Sequence, residues 1–178
     1  MKRAAASAAS TTNVHPQVPA ILQSLSAAGY GSGQWSRSTV AELRAAAAGS
    51  YVPEGPPVRE RAISIPGAAG STLGVRVFEP PAVQSPRSPR SPSGGLIFFG
   101  AGGYVVGELS GHNALCQQLA VSAGCVVVSV SPRLAPEHKF PAAILDAYAA
   151  VCWVHENAED FVIDSIRLAI GGESTGAS

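Results

Sequence analysis

Charge is scarce in this sequence. Only 13% of its 178 residues are Asp, Glu, Lys or Arg, and 12 basic residues balance 12 acidic ones. A chain that binds nucleic acid or an acidic polymer carries a basic excess on one face, so neither is expected as a partner. Cysteine is scarcer still: Cys116, Cys125 and Cys152 are an odd set without metal-ligand spacing. They build neither a disulfide framework nor a zinc site, so no metal is expected, and they fit a reducing compartment such as the cytoplasm. No apolar run approaches the roughly 18 residues that a membrane-spanning helix needs.

What is present is apolar. Hydrophobic residues make up 46% of the chain, too many for a wholly disordered polymer. The length suits one domain or part of a larger one. Lys2, Arg3 and Arg37 precede the first acid, Glu42, in a run rich in Ala and Ser. Such a start fits a transit peptide. The few basic residues, with no compact apolar stretch behind them, favour instead a disordered extension over residues 1–14.

Residues 15–50 read as cap-like helices. Val18, Ile21, Leu22 and Leu25 repeat at helical spacing. Thr39 and Glu42 form a capping box before Leu43, and Gly49 can end that helix. The remainder, 51–178, reads as an α/β core. Ala62–Ile65 and Leu73–Phe78 are strands joined by a Pro/Gly turn. Residues 85–95, S-P-R-S-P-R-S-P-S-G-G, form a solvated loop. Beyond it, apolar runs at Leu96–Phe99, Cys125–Val130 and Leu168–Ile170 alternate with helical patterns ending at Gly124 and spanning Ala142–His155. Strand, helix, strand, helix, strand, with nearly continuous apolar strands, predicts a parallel sheet covered on both faces.

Two clusters carry chemistry. Gly100, Gly102, Gly103 and Gly107 follow a strand, but Val105 breaks a dinucleotide fingerprint and Glu108 stands where a P-loop needs lysine. A glycine turn can still expose backbone N–H groups to an oxyanion. Gly172-Glu173-Ser174-Thr175-Gly176 fits G-x-S-x-G directly after a strand, the place of a nucleophile elbow. Small residues flank the serine, as a sharp turn demands, and the Thr175 N–H would face the same oxyanion.

Three motifs occur in order: Phe98–Gly107 with Gly111–Cys116, then Arg133-Leu134-Ala135-Pro136-Glu137 running on to Ala143, then the elbow. Together they resemble the hormone-sensitive-lipase-like (bacterial esterase/lipase, fold-3) family of α/β hydrolases. The resemblance implies a serine carboxylesterase with no cofactor, acting on a small ester through an acyl-enzyme. It implies Ser174 as nucleophile and the N–H groups of Gly102, Gly103 and Thr175 as the oxyanion hole, with Gly172, Glu173 and Gly176 shaping the elbow. The sequence departs from the family in three places. Gly100 stands where the loop carries histidine, Ser131-Pro132 replaces Asp-Tyr, and no Asp, Glu or His follows Ser174, although the triad acid and base come after the serine in this fold. The expectation is therefore the N-terminal portion of the fold, ending at the elbow and inactive alone. A catalytically silent ligand-binding relative and a non-functional truncated product are the alternatives.

The other polar residues have plainer readings. His15, His112, His138 and His155 are not expected to act as the base. Asp146 reads as a polar helix position, Asp164 as a turn or cap, and Arg133 and Glu137 as structural. Tyr148 and Trp153 read as packing residues.

Overall fold

A computed structural model describes residues 38–48, 55–80, 92–107 and 109–178, with isolated helical positions between 19 and 27. The expectations for residues 1–14, for the repeat of Val18, Ile21, Leu22 and Leu25, for the helix end at Gly49 and for the loop between 85 and 91 lie outside these residues. Helix α1 spans Val40–Ala48, as the capping box predicts.

Strands β1 (Arg59–Pro66) and β2 (Thr72–Glu79) form the antiparallel hairpin, in register from Arg59 opposite Glu79 to Pro66 opposite Thr72. Strand β3 runs Ser93–Phe99, so it begins inside the stretch read as loop. Helix α2 (Asn113–Ala123) ends on Gly124, whose left-handed backbone (φ +60°) closes it as a C-cap. Strand β4 (Val126–Ser131), helix α3 (Ala142–Glu156) and strand β5 (Ile163–Gly172) follow. The sheet order is β1-β2-β4-β3-β5, with β4 and β5 both parallel to β3.

Residues alternate across a strand, and the two faces bury different sets. Val126, Val128 and Val130 join Val75, Val77, Ile97 and Phe99 under Ala150 and Val154 of α3. Val127, Phe98 and Phe78 pack on the opposite face with Cys116 and Ala120 of α2. Two helices on opposite faces explain why β3 and β4 are apolar without alternation. Burial pushes the Cys116 thiol up to about 11, which marks it as a packing residue rather than a nucleophile.

Coverage on both faces holds for the sheet centre but not for β5. That strand is also longer than its apolar run suggests, and among the described residues it pairs only with β3, at the sheet edge. Ile166 is 89% exposed and Ile170 62% exposed. Among the described residues no helix is long and apolar enough to cross a membrane.

Candidate active site

The path of the chain sets the position of the site. From β3 the chain moves to one side to make β4, then crosses to the other side of β3 to make β5. Such a reversal leaves a crevice beyond the strand ends. Parallel pairing of Phe99 with Gly172 brings the exits of β3 and β5 side by side. The glycine loop leaves one exit and the elbow leaves the other, so motifs some 70 residues apart in sequence meet here.

The elbow is tight. Glu173 N–H donates to Phe99 O at 3.1 Å, and Gly176 N–H closes the turn on Glu173 O at 2.8 Å. A Cβ on Gly176 would stand 2.0 Å from Phe99 O, and one on Gly172 would stand 2.0 Å from Gly176 O. Only glycine fits either position. Ser174 itself has φ +53°, a left-handed conformation that costs a non-glycine residue roughly 1–2 kcal/mol. Strain at its central serine is what a G-x-S-x-G turn holds. Ser174 is exposed and opens a short 3-10 turn, Ser174–Ala177.

The loop is held as firmly. Val105 and Val106 N–H both donate to Gly102 O, at 3.1 and 2.9 Å, and Gly102 (φ +153°) comes so near Val106 O that a Cβ there would overlap it. Tyr104 O accepts the Ala135 N–H at 2.8 Å. Gly103 N–H donates to the Thr175 hydroxyl at 3.2 Å. Gly102, Gly103 and Thr175, the three residues expected to surround an oxyanion, therefore lie together. In this structure the Gly103 amide is already engaged by the Thr175 side chain.

His112, weighed in the sequence only as a base, lies between the two motifs. Its Nε2 lies 3.3 Å from the Ala101 amide and 3.4 Å from Glu173 Oε2, between loop and elbow. Among the described residues no hydrogen bond links a histidine to Ser174.

Two ionic clusters support the loops. Arg44 of α1 donates Nε to Val105 O at 2.9 Å and Nη2 to Ala135 O at 3.0 Å, and forks onto both Glu137 oxygens at 2.8 and 2.7 Å. This bidentate pair holds the Glu137 carboxyl down to about 2. Asp146 is not the simple polar helix position expected, because it is fully buried. Its oxygens accept from Arg133 Nε, Nη2 and N–H, from Ala68 N–H and from the Ser71 hydroxyl. Burial raises its pKa, but the Arg133 and Ala68 hydrogen bonds outweigh burial and the net shift is downward. Asp146 thereby ties the β1–β2 turn, the segment after β4 and α3 into one joint. The signal in the sequence was one charged residue within the otherwise uncharged run Ala142–Val154. Its partner Arg133, itself expected to be structural, lies on the loop after β4.

A cavity of about 470 Å³ opens beside the site, with Gly102 and Thr175 at its rim and Leu134, Tyr148, Val151 and Ile170 in its wall.

Residues 96–178 match the family model for the alpha/beta hydrolase fold. Over this stretch the chain has the alpha/beta hydrolase fold of the hormone-sensitive-lipase-like type. It is 41% identical over 126 residues to esterase LipI of Mycobacterium tuberculosis, covering 71% of this chain and 38% of that one. It is 44% identical over 109 residues to the ethyl acetate hydrolase of Pseudomonas putida, covering 61% and 33% respectively. Among solved structures, an ester hydrolase from the metagenome of Lake Arreo superposes with a TM-score of 0.78 at 32% identity, covering 92% of this chain and 51% of that one. The hyperthermophilic esterase of Pyrobaculum calidifontis gives 0.74 at 33% identity, with 92% and 50% coverage. The chain thus spans between a third and about half the length of the relatives it matches.

Proposed function

We propose that this chain carries the nucleophile and oxyanion donors of a carboxylic-ester hydrolase acting on small esters. The observation that carries the reading is the strained, glycine-locked Ser174 beside the glycine loop. Ser174 Oγ would attack the ester carbonyl carbon. The charge that develops on the carbonyl oxygen would be met by the amides of Gly102, Gly103 and Thr175. The alcohol would leave with the proton, and water would release the acid from the acyl-serine. We assign no base within this stretch, because the residues after Ser174 include no Asp, Glu or His. The esterase and ethyl acetate hydrolase relatives support the reaction class. Covalent trapping with a fluorophosphonate tests the assignment. An adduct confined to Ser174 and missing from Ser174→Ala supports it, and an adduct that survives Ser174→Ala refutes it.

Two observations favour a second reading, a silent relative that holds a small ligand. The Gly103 amide is occupied by Thr175, and the neighbouring cavity is mostly apolar in its wall. A rise in melting temperature with a short-chain ester that is never cleaved would select this reading.

A further inference from the structure

The geometry points to His112 as the positioning residue of the glycine loop, filling from the helix side the space that a side chain at position 100 would take. Three observations meet at this ring. A Cβ built on Gly100 would stand 2.6 Å from His112 Nδ1, so ring and side chain cannot share that space. The Ala101 N–H points at Nε2 from 3.3 Å. The ring sits against Phe98 at the end of β3, with centroids 6.0 Å apart and planes tilted by 50°.

The chemistry follows from one nitrogen. To accept from Ala101, Nε2 must carry its lone pair, which places the ring proton on Nδ1. The same Nε2 lies 3.4 Å from Glu173 Oε2, so the ring also fills the gap between loop and elbow. Ala101 immediately precedes Gly102. Fixing its N–H holds the Gly100–Ala101 peptide unit, the neighbour of the Ala101–Gly102 unit that carries the first proposed oxyanion donor, and removing such a donor costs on the order of 10²–10³ in rate. That catalytic consequence rests on the ester-hydrolase reading, whereas the brace itself does not.

The test is amide hydrogen exchange at Ala101 in the whole chain, with Val127 and Val128 of the sheet as internal controls. His112→Phe keeps a ring against Phe98 and removes the acceptor. Ala101 is then expected to exchange about five- to tenfold faster, the effect of one lost hydrogen bond, while the two valines stay as they were. His112→Gln restores an acceptor at similar reach and is expected to bring Ala101 back to within about twofold of the parent. Gly100→Ala leaves His112 in the chain but sets a methyl group against its ring. It is expected to speed Ala101 exchange as His112→Phe does, and it decides the matter if the phenylalanine variant fails to fold. Unchanged exchange at Ala101 in Gly100→Ala, or in a folded His112→Phe, overturns the proposal. Acylation of Ser174 by nitrophenyl acetate, followed in the same proteins, keeps the two ideas apart. If no protein is acylated while the exchange pattern holds, the hydrolase reading falls and the brace stands. If acylation is equal in the parent and in a loosened His112→Phe, the brace has no part in catalysis.

Discussion

The Gly103 amide and the Thr175 hydroxyl are hydrogen-bonded at 3.2 Å, joining the glycine loop to the elbow across the place where a substrate oxygen would sit. Both residues are needed as backbone donors in the proposed reaction, yet here one side chain occupies the other's amide. Thr175→Val keeps the shape and the Thr175 amide but removes the acceptor. One net hydrogen bond is about 0.5–1.5 kcal/mol. Labelling of Ser174 by a fluorophosphonate is therefore expected to accelerate about two- to tenfold in Thr175→Val, measured as adduct formation against time. A slower or unchanged rate would mean that the hydroxyl does not compete for the donor.

The glycines of the elbow should tolerate substitution very differently from Gly103. Gly176→Ala would drive a methyl group to 2.0 Å from Phe99 O. Backbone cannot yield cheaply there, and a loss of at least about 3 kcal/mol is expected. Nothing lies within 4 Å of a Cβ on Gly103, whose φ is +61°, so Gly103→Ala should cost only the conformational penalty of about 1–2 kcal/mol. Urea titration of the two variants measures the difference, and equal losses would contradict the elbow geometry.

Asp146 gives an acid-dependent prediction. Its carboxyl is shifted downward in the folded chain, so the ionised form binds more tightly to its partners in the fold than in the unfolded chain. That stabilisation is present above the ordinary aspartate value of about 3.9 and is lost as pH falls through the lower folded value. Asp146→Asn takes the charge from the contacts with the half-buried Arg133 and is expected to cost about 1.5–3 kcal/mol at neutral pH. It should also flatten the loss of stability in acid. Denaturant midpoints measured from pH 7 down to pH 2 check both.

Arg44 and Glu137 are more exposed, and their pair is better read by titration than by stability. With both oxygens held by one guanidinium, Glu137 sits at about 2. Arg44→Lys keeps the charge and loses the fork, so the Glu137 carboxyl should rise toward its ordinary value of about 4.3. Carboxyl carbon shifts followed by NMR against pH would show this. A Glu137 that stays near its parent value would mean that the fork is not what holds it down.

Much of this architecture was legible in the chain. The unbroken run Val126-Val127-Val128 marked a strand buried on both faces, and Gly124 marked the end of the helix before it. Gly172 and Gly176 marked the elbow because a tight turn has a local signature. What stayed hidden depends on partners distant in sequence. β5 begins with the buried Ile163 followed by the polar pair Asp164-Ser165, so its first half shows no apolar alternation, and its edge position leaves Ile166 and Ile170 exposed. Asp146 needs Arg133 and the β1–β2 turn to show that it is a joint. The engagement of Gly103 by Thr175, and of Ala101 by His112, appears only once Phe99 is set beside Gly172.

The central claim is that Ser174 forms an acyl-enzyme, and peptide mapping by mass spectrometry after exposure to nitrophenyl acetate tests it most directly. Acetyl is expected on Ser174 above every other serine, forming slowly and without turnover because no base is assigned within this stretch, and none at position 174 in Ser174→Ala with the remaining pattern unchanged. Acetylation spread over the chain without preference for Ser174 would contradict it.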